Sequence, residues 1–265
     1  MRRRNPTPAR RCGNPTAARR DPREWFGRSL GRRLLEADVE ALSSVLPTLF
    51  GYHLLQAGQP AAADLLQTSR IRHRVVLDEL PTDPENAAVS LVGAVPQALP
   101  VASDSLDVVV LPHTLEYTRD PHGVLREADR CLIPEGHVVI LGFNPWSLWG
   151  MWRLFLHRRG AAPWCGQFYS LTRLKDWLAL LGFDTVLVRT HFFRPPLKRD
   201  SLMGRLSFLE RAGRRWWPRL GGGYLLVAKK RVVTLTPIRP RWRPRRGLVG
   251  GLTEPTLRRC RMKRT

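Results

Sequence analysis

The segment "SLDVVVLPH", residues 105–113, limits the possible folds more than any other stretch of this chain. Between Val108 and Leu111 no polar side chain interrupts the run. A strand with one wet face alternates apolar and polar residues, so a continuous β-branched run belongs to a strand covered on both faces. Such a strand needs a sheet around it and helices above and below. The rest of the chain supplies both. "YHLLQAG" (52–58), "RHRVVLDEL" (72–80) and "AAVSLVGAV" (87–95) read as strands before it. "IPEGHVVILGF" reads as a turn at Gly136 and a fifth strand, and "FDTVLVRTHF" and "GGYLLVAKK" as the last two.

Between the strands the period changes from two to about 3.6. Leu34, Leu35, Val39, Leu42 and Val45 fall at helical spacing before Pro47. A second helix is expected from Pro60, because proline suits the first helical position. In "DPHGVLREADRCL" Asp120 is placed to cap, Pro121 sits in the first turn, and Val124, Leu125, Ala128 and Leu132 make one apolar face. "SLTRLKDWLALLGF" has Ser170 as cap and Gly182 as stop. Alternation of this kind predicts an α/β domain over residues 34–231, with a mostly parallel sheet and helices on both faces.

Charge separates this domain from its ends. Of the net charge of +22, residues 1–33 carry +9, residues 229–265 carry +12, and residues 34–228 carry only +1. Both ends are rich in Arg, Pro and Gly without apolar periodicity. Residues 1–33 therefore read as a largely disordered basic tail holding the start of the first helix, and 232–265 as a second disordered tail. Such tails attract nucleic acid or an anionic membrane, or simply keep the chain soluble. Cys12, Cys131, Cys165 and Cys260 are scattered without metal or redox spacing. No apolar region follows the N-terminal charges and no run approaches the roughly 20 apolar residues of a membrane helix. The expected location is the cytoplasm, with no metal.

Residues 99–143 carry a resemblance. Leu99-Pro100, Ser105-Leu106-Asp107, His113 to Tyr117, Asp120-Pro121, Leu125-Arg126-Glu127 and Pro134-Glu135-Gly136 follow one another in register over about 45 residues. In this order they resemble the second half of the type-11 class I S-adenosylmethionine-dependent methyltransferases. The flanking "FGYHLL" and "GFNPWSLWG" are similar to a bacterial subgroup of that family. The resemblance implies a Rossmann-like, seven-stranded sheet with an antiparallel last strand. It also implies S-adenosyl-L-methionine as cofactor and an unidentified small-molecule acceptor.

Carried over residue by residue, the resemblance places the first-strand acid of the family at Gln56 and its three loop glycines at Gly58, Pro60 and Ala62. Only one glycine remains, and Pro60 lacks the N–H that a cofactor carboxylate would use. The ribose-binding acid falls on Asp78 or Glu79. The adenine-contacting acid falls on Val95 and is missing. At the end of the fourth strand, Leu111 and His113 are the cofactor-side positions. His113 is also the candidate catalytic group, as a base or as a group that orients the acceptor; packing against the next helix is the structural alternative. Glu116 reads as local support, and His122 and His137 as surface residues.

One further segment stands out. In "FNPWSLWGMWRLFLHRRG" (143–160), Trp146, Trp149, Trp152 and Phe155 recur at helical spacing before a basic cluster. They form either an aromatic lid at a membrane interface or a helix buried against the sheet. Three functional readings stay open: a methyltransferase, a methyltransferase-like interaction module that has lost the cofactor, and a nucleic-acid-associated enzyme gripping phosphate with its tails.

Overall fold

A computed structural model describes residues 22–82, 89–156, 162–196, 210, 213 and 215–231. All of these belong to one compact unit. Both basic tails, apart from 22–33, and most of the segment 197–214 lie outside the described residues.

Seven strands form one sheet: β1 (His53–Ala57), β2 (His73–Asp78), β3 (Ser90–Gly93), β4 (Leu106–Pro112), β5 (Leu132–Phe143), β6 (Phe183–His191) and β7 (Gly223–Lys230). Their order is β3-β2-β1-β4-β5-β7-β6. Strands β1 to β5 pair in parallel, and β7 is antiparallel to both of its neighbours. Among the described residues the α-helices used below are α1 (Ser29–Ser43), α2 (Thr114–Tyr117), α3 (Pro121–Cys131), α4 (Leu148–Leu156) and α5 (Leu171–Leu180). This is the Rossmann-like arrangement expected from the sequence.

The central valines divide between two cores as strand alternation requires. Val108 and Val110 face one core with α1, Leu65, Leu66 and Trp149. Val109 and Leu111 face the other with α3 and α5. Asp120 caps α3 by accepting the Gly123 N–H at 2.9 Å, and Ser170 caps α5 by accepting the Arg173 N–H at 3.3 Å. Gly182 ends α5 at φ 84°, a left-handed conformation suited to glycine.

Three expectations are corrected. No helix starts at Pro60: residues 58–72 cross from β1 to β2 through bends and one turn. Asp64 accepts the Leu66 N–H at 2.9 Å, a local side-chain bond that competes with helix, and Leu65, Leu66 and Ile71 bury from the crossing without helical spacing. β5 begins at Leu132, before Gly136; residues 133–136 bulge between the pairs Leu106↔Leu132 and Val108↔His137. The packed domain also begins before residue 34, since Trp25 and Phe26 sit in the core and a helical turn spans 22–26.

Candidate functional site

Strand order reverses between β1 and β4, the position where open α/β sheets form a crevice at the carboxyl ends of their strands. Here the crevice is lined by Gly58 and Gln59 after β1, Asp78 at the end of β2, and Pro112, His113 and Thr114 at the end of β4. The β1 corner is held by side chains. Buried Gln56 donates from Nε2 to the Gly58 carbonyl at 3.0 Å, and the Gly58 N–H donates to the Leu77 carbonyl at 2.7 Å. Gly58 adopts φ 96°, and a Cβ there would fall 2.4 Å from Thr114 Oγ1. Glycine is thus needed both for the backbone and for the approach of α2. Asp78 Oδ2 accepts the Gln59 N–H at 2.7 Å, and Gln59 brackets Thr82 with two further bonds.

His113 stands at the β4 end with φ 51°. Its ring is buried against Phe143 and Phe26, with centroids 4.5 and 5.2 Å away. His113 Nε2 lies 3.0 Å from Asp38 Oδ2, and His191 Nε2 lies 2.6 Å from Asp38 Oδ1. Asp38 is fully buried on α1. Burial pushes the His113 imidazole toward the neutral form, but the charge and hydrogen bond of Asp38, aided by Glu116, outweigh it and raise its pKa to about 9. The Asp38 carboxyl is held below its ordinary value by the two histidines despite burial, which acts the other way. At neutral pH His113 is therefore an imidazolium. On the far side of Asp38, His191 lines a second cleft of about 270 Å³ between α1 and the end of β6.

The profile of a methyltransferase-domain family matches residues 47–188, more than half of the chain. The Escherichia coli protein YafS is 34% identical over 212 residues, covering 80% of this chain and 82% of that one. An uncharacterized Mycobacterium tuberculosis protein is 27% identical over 201 residues, 72% of this chain and 68% of its own length. The chain belongs to the methyltransferase-domain family. Among solved structures, an S-adenosylmethionine-dependent methyltransferase of Thermotoga maritima shares the fold at 16% identity and TM-score 0.56, covering 78% of this chain and 93% of that one. One from Mesorhizobium loti does so at 15% identity and TM-score 0.51, over 72% and 96%.

The family's cofactor can be tested against this crevice. The glycine corner, the β2 carboxylate and the β4 end converge as a nucleoside ligand requires. Three features work against it. The family's helix after β1, whose N-terminus would face a carboxylate, is replaced by bends, and Val95 is exposed with no acid at its position. The open space is also only about 40 Å³, against the roughly 300–1,000 Å³ of typical ligand sites. Arg23 and Phe26 from the N-terminal turn line it. Arg23 Nη2 lies 2.8 Å from Asp78 Oδ1, and its Nη1 donates to the Leu80 carbonyl. Gly58, Asp78 and the β4 end are residues that would hold the cofactor, and Arg23 and Phe26 occupy part of the space beside them.

Of the residues expected at a methyltransferase cofactor site, the structure brings Gln56, Gly58, Asp78 and His113 together. Glu79 is exposed beyond the end of β2, and Leu111 points into the core shared with α3 rather than into the crevice. Glu116 is buried and accepts the Phe143 N–H at 2.8 Å. His122 is exposed against the Trp177 ring, and His137 is half-buried in β5. Sequence reasoning missed Arg23, Asp38 and His191. Asp38 had a signal: it falls between Leu34 and Leu42 at four-residue spacing, a charge within the apolar stripe of α1.

Proposed function

We propose that this chain binds S-adenosyl-L-methionine in the crevice between β1, β2 and β4, and methylates a small, largely apolar acceptor in the cytoplasm. The observation that carries the reading is the convergence of Gly58, Asp78 and His113 at the strand-order reversal of a methyltransferase-family domain. S-adenosylmethionine would supply an electrophilic methyl group on a sulfonium. The chain's own contribution is then chiefly alignment and exclusion of water. Asp78 offers its carboxylate to the ribose hydroxyls, and the Gly58–Gln59 backbone offers the close approach that a side chain would block. His113, held by Asp38 with its pKa raised, acts as an orienting hydrogen-bond donor and positive charge rather than as the base. The positive charge of His113, rather than the rings of Phe26 and Phe143 beside it, disfavours an acceptor that is itself cationic.

Calorimetric titration with S-adenosylmethionine and S-adenosylhomocysteine tests the reading. Binding by the full chain that is lost in Asp78→Ala supports it. Absence of binding by both the full chain and Arg23→Ala, in which the crevice is opened, would leave a methyltransferase fold without its cofactor.

A further inference from the structure

α4 presents an unusual surface. Its sequence, LWGMWRLFL, contains one polar residue, Arg153, whose Nε is bonded to the Gly166 carbonyl at 2.8 Å. A helix apolar all round is normally buried. Here, among the helix residues whose burial is described, Trp149, at 1% exposure, and Gly150 are the buried ones, the Trp149 Nε1 donating to the Arg194 carbonyl at 2.9 Å. Leu154 and Phe155 are 72% and 80% exposed, Trp146 just before the helix is 75% exposed, and Met151 and Trp152 are also open. The adjoining segment 215–220 adds exposed Trp216 and Trp217. It is tied to the same turn, because Asn144 Nδ2 donates to the Arg219 and Gly221 carbonyls at 2.8 and 3.0 Å.

Large exposed apolar side chains gathered along one helix mark a partner, and their chemistry says which. Residues 144–156 and 215–220 contain Arg153, Arg215 and Arg219 and no Asp or Glu. Tryptophan and arginine around long aliphatic side chains suit the boundary between lipid headgroups and acyl chains. Aliphatic Met151 and Leu154 have nothing to stack on a nucleic-acid base, and the absence of carboxylates fits an anionic partner. α4 follows directly on the carboxyl end of β5, so the patch lies on the sheet edge that carries the crevice. We infer that α4, with Trp146, Trp216 and Trp217, is a peripheral docking surface for an anionic phospholipid bilayer. The inference is independent of cofactor binding.

The test uses the full chain with vesicles of equal parts phosphatidylcholine and phosphatidylglycerol, part of the lipid carrying brominated acyl chains. Salt of about 0.5 M shortens the reach of the basic tails to roughly 4 Å while leaving apolar insertion intact. The expected result is sedimentation with vesicles and quenching of tryptophan fluorescence at this salt. Trp146→Ser/Leu154→Ser/Phe155→Ser, all at exposed positions, should weaken apparent binding by more than about tenfold, abolish most quenching and leave the thermal midpoint unchanged. Wild-type binding that vanishes at high salt, or quenching equal in the variant, would overturn the inference. So would quenching by a homopolymeric single-stranded nucleic acid with none by brominated lipid.

Discussion

The connection from β4 to β5 and the connection from β1 to β2 both return the chain across a face of the same parallel sheet, yet only the first uses a helix. α3 is capped by Asp120, buries Val124, Leu125 and Ala128, and repeats its apolar contacts every turn. The β1–β2 crossing has bends, buries Leu65 and Leu66, and is fixed by single polar bonds from Gln56, Gln59, Asp64 and Asp78. One half is held by periodic burial, the other by individual hydrogen bonds around a crevice. Regular packing tolerates the loss of one contact better than a set of single bonds does. Substitutions near the crevice should therefore cost more than equivalent ones in the regular half.

The largest effect is expected at Asp38, which joins α1 to the ends of both β4 and β6. Asp38→Asn leaves two buried histidines without their anion and should destabilise the protein by about 3 kcal/mol at neutral pH. Its pH signature has a definite sign. The folded state holds the His113 proton to about pH 9, whereas the unfolded chain releases it near 6.5. The stabilisation is therefore complete below 6.5 and is lost as pH rises through 9. Urea unfolding of the wild type across this window should show the decline. The variant should lack the His113-linked part of it, and an identical slope in both would refute the pairing.

Glycine provides the direct comparison of the two halves. Gly58 and Gly182 both have positive φ, at 96° and 84°. A Cβ at Gly182 meets nothing within 4 Å, whereas one at Gly58 strikes Thr114. Gly182→Ala should cost roughly 1 kcal/mol from backbone strain alone. Gly58→Ala should cost about 2–3 kcal/mol, because α2 must also shift. Equal losses in urea midpoint would mean that the Thr114 contact relaxes freely and the crevice corner is softer than its bonds suggest.

The same contrast explains what could be read from the sequence. In the 105–192 region α3 and α5 follow from period and capping alone: Asp120, Ser170 and Gly182 each mark an end that the structure keeps. The crossing after β1 was misread because Pro60 and three alanines favour helix locally, while the bonds that prevent it come from Asp64 and from distant partners such as Asp78. At the site, Gly58, Asp78 and His113 were legible because they sit at strand ends. Arg23 was hidden in a run of arginines whose other members lie in the basic tail, and nothing local distinguishes it. His191 is recognisable only once β6 is placed against α1. α4 shows the opposite limit, since helical spacing of its aromatics does not tell which of them bury.

Arg23 carries the smallest expected effect and the most specific one. Its pair with Asp78 is partly solvated, with the arginine side chain 25% exposed, so the stability lost in Arg23→Ala should be within about 1 kcal/mol. The cofactor reading assigns that pair a second consequence. A ligand that needs the Asp78 carboxylate must first displace the guanidinium, and the energy of that displacement is subtracted from its affinity. Removing Arg23 should therefore tighten S-adenosylmethionine binding by about fivefold while slightly lowering the unfolding midpoint, a pairing of opposite signs that general loosening does not produce. Weaker binding instead would mean that Arg23 turns toward the ligand and holds it, making the N-terminal turn part of the site rather than its cover.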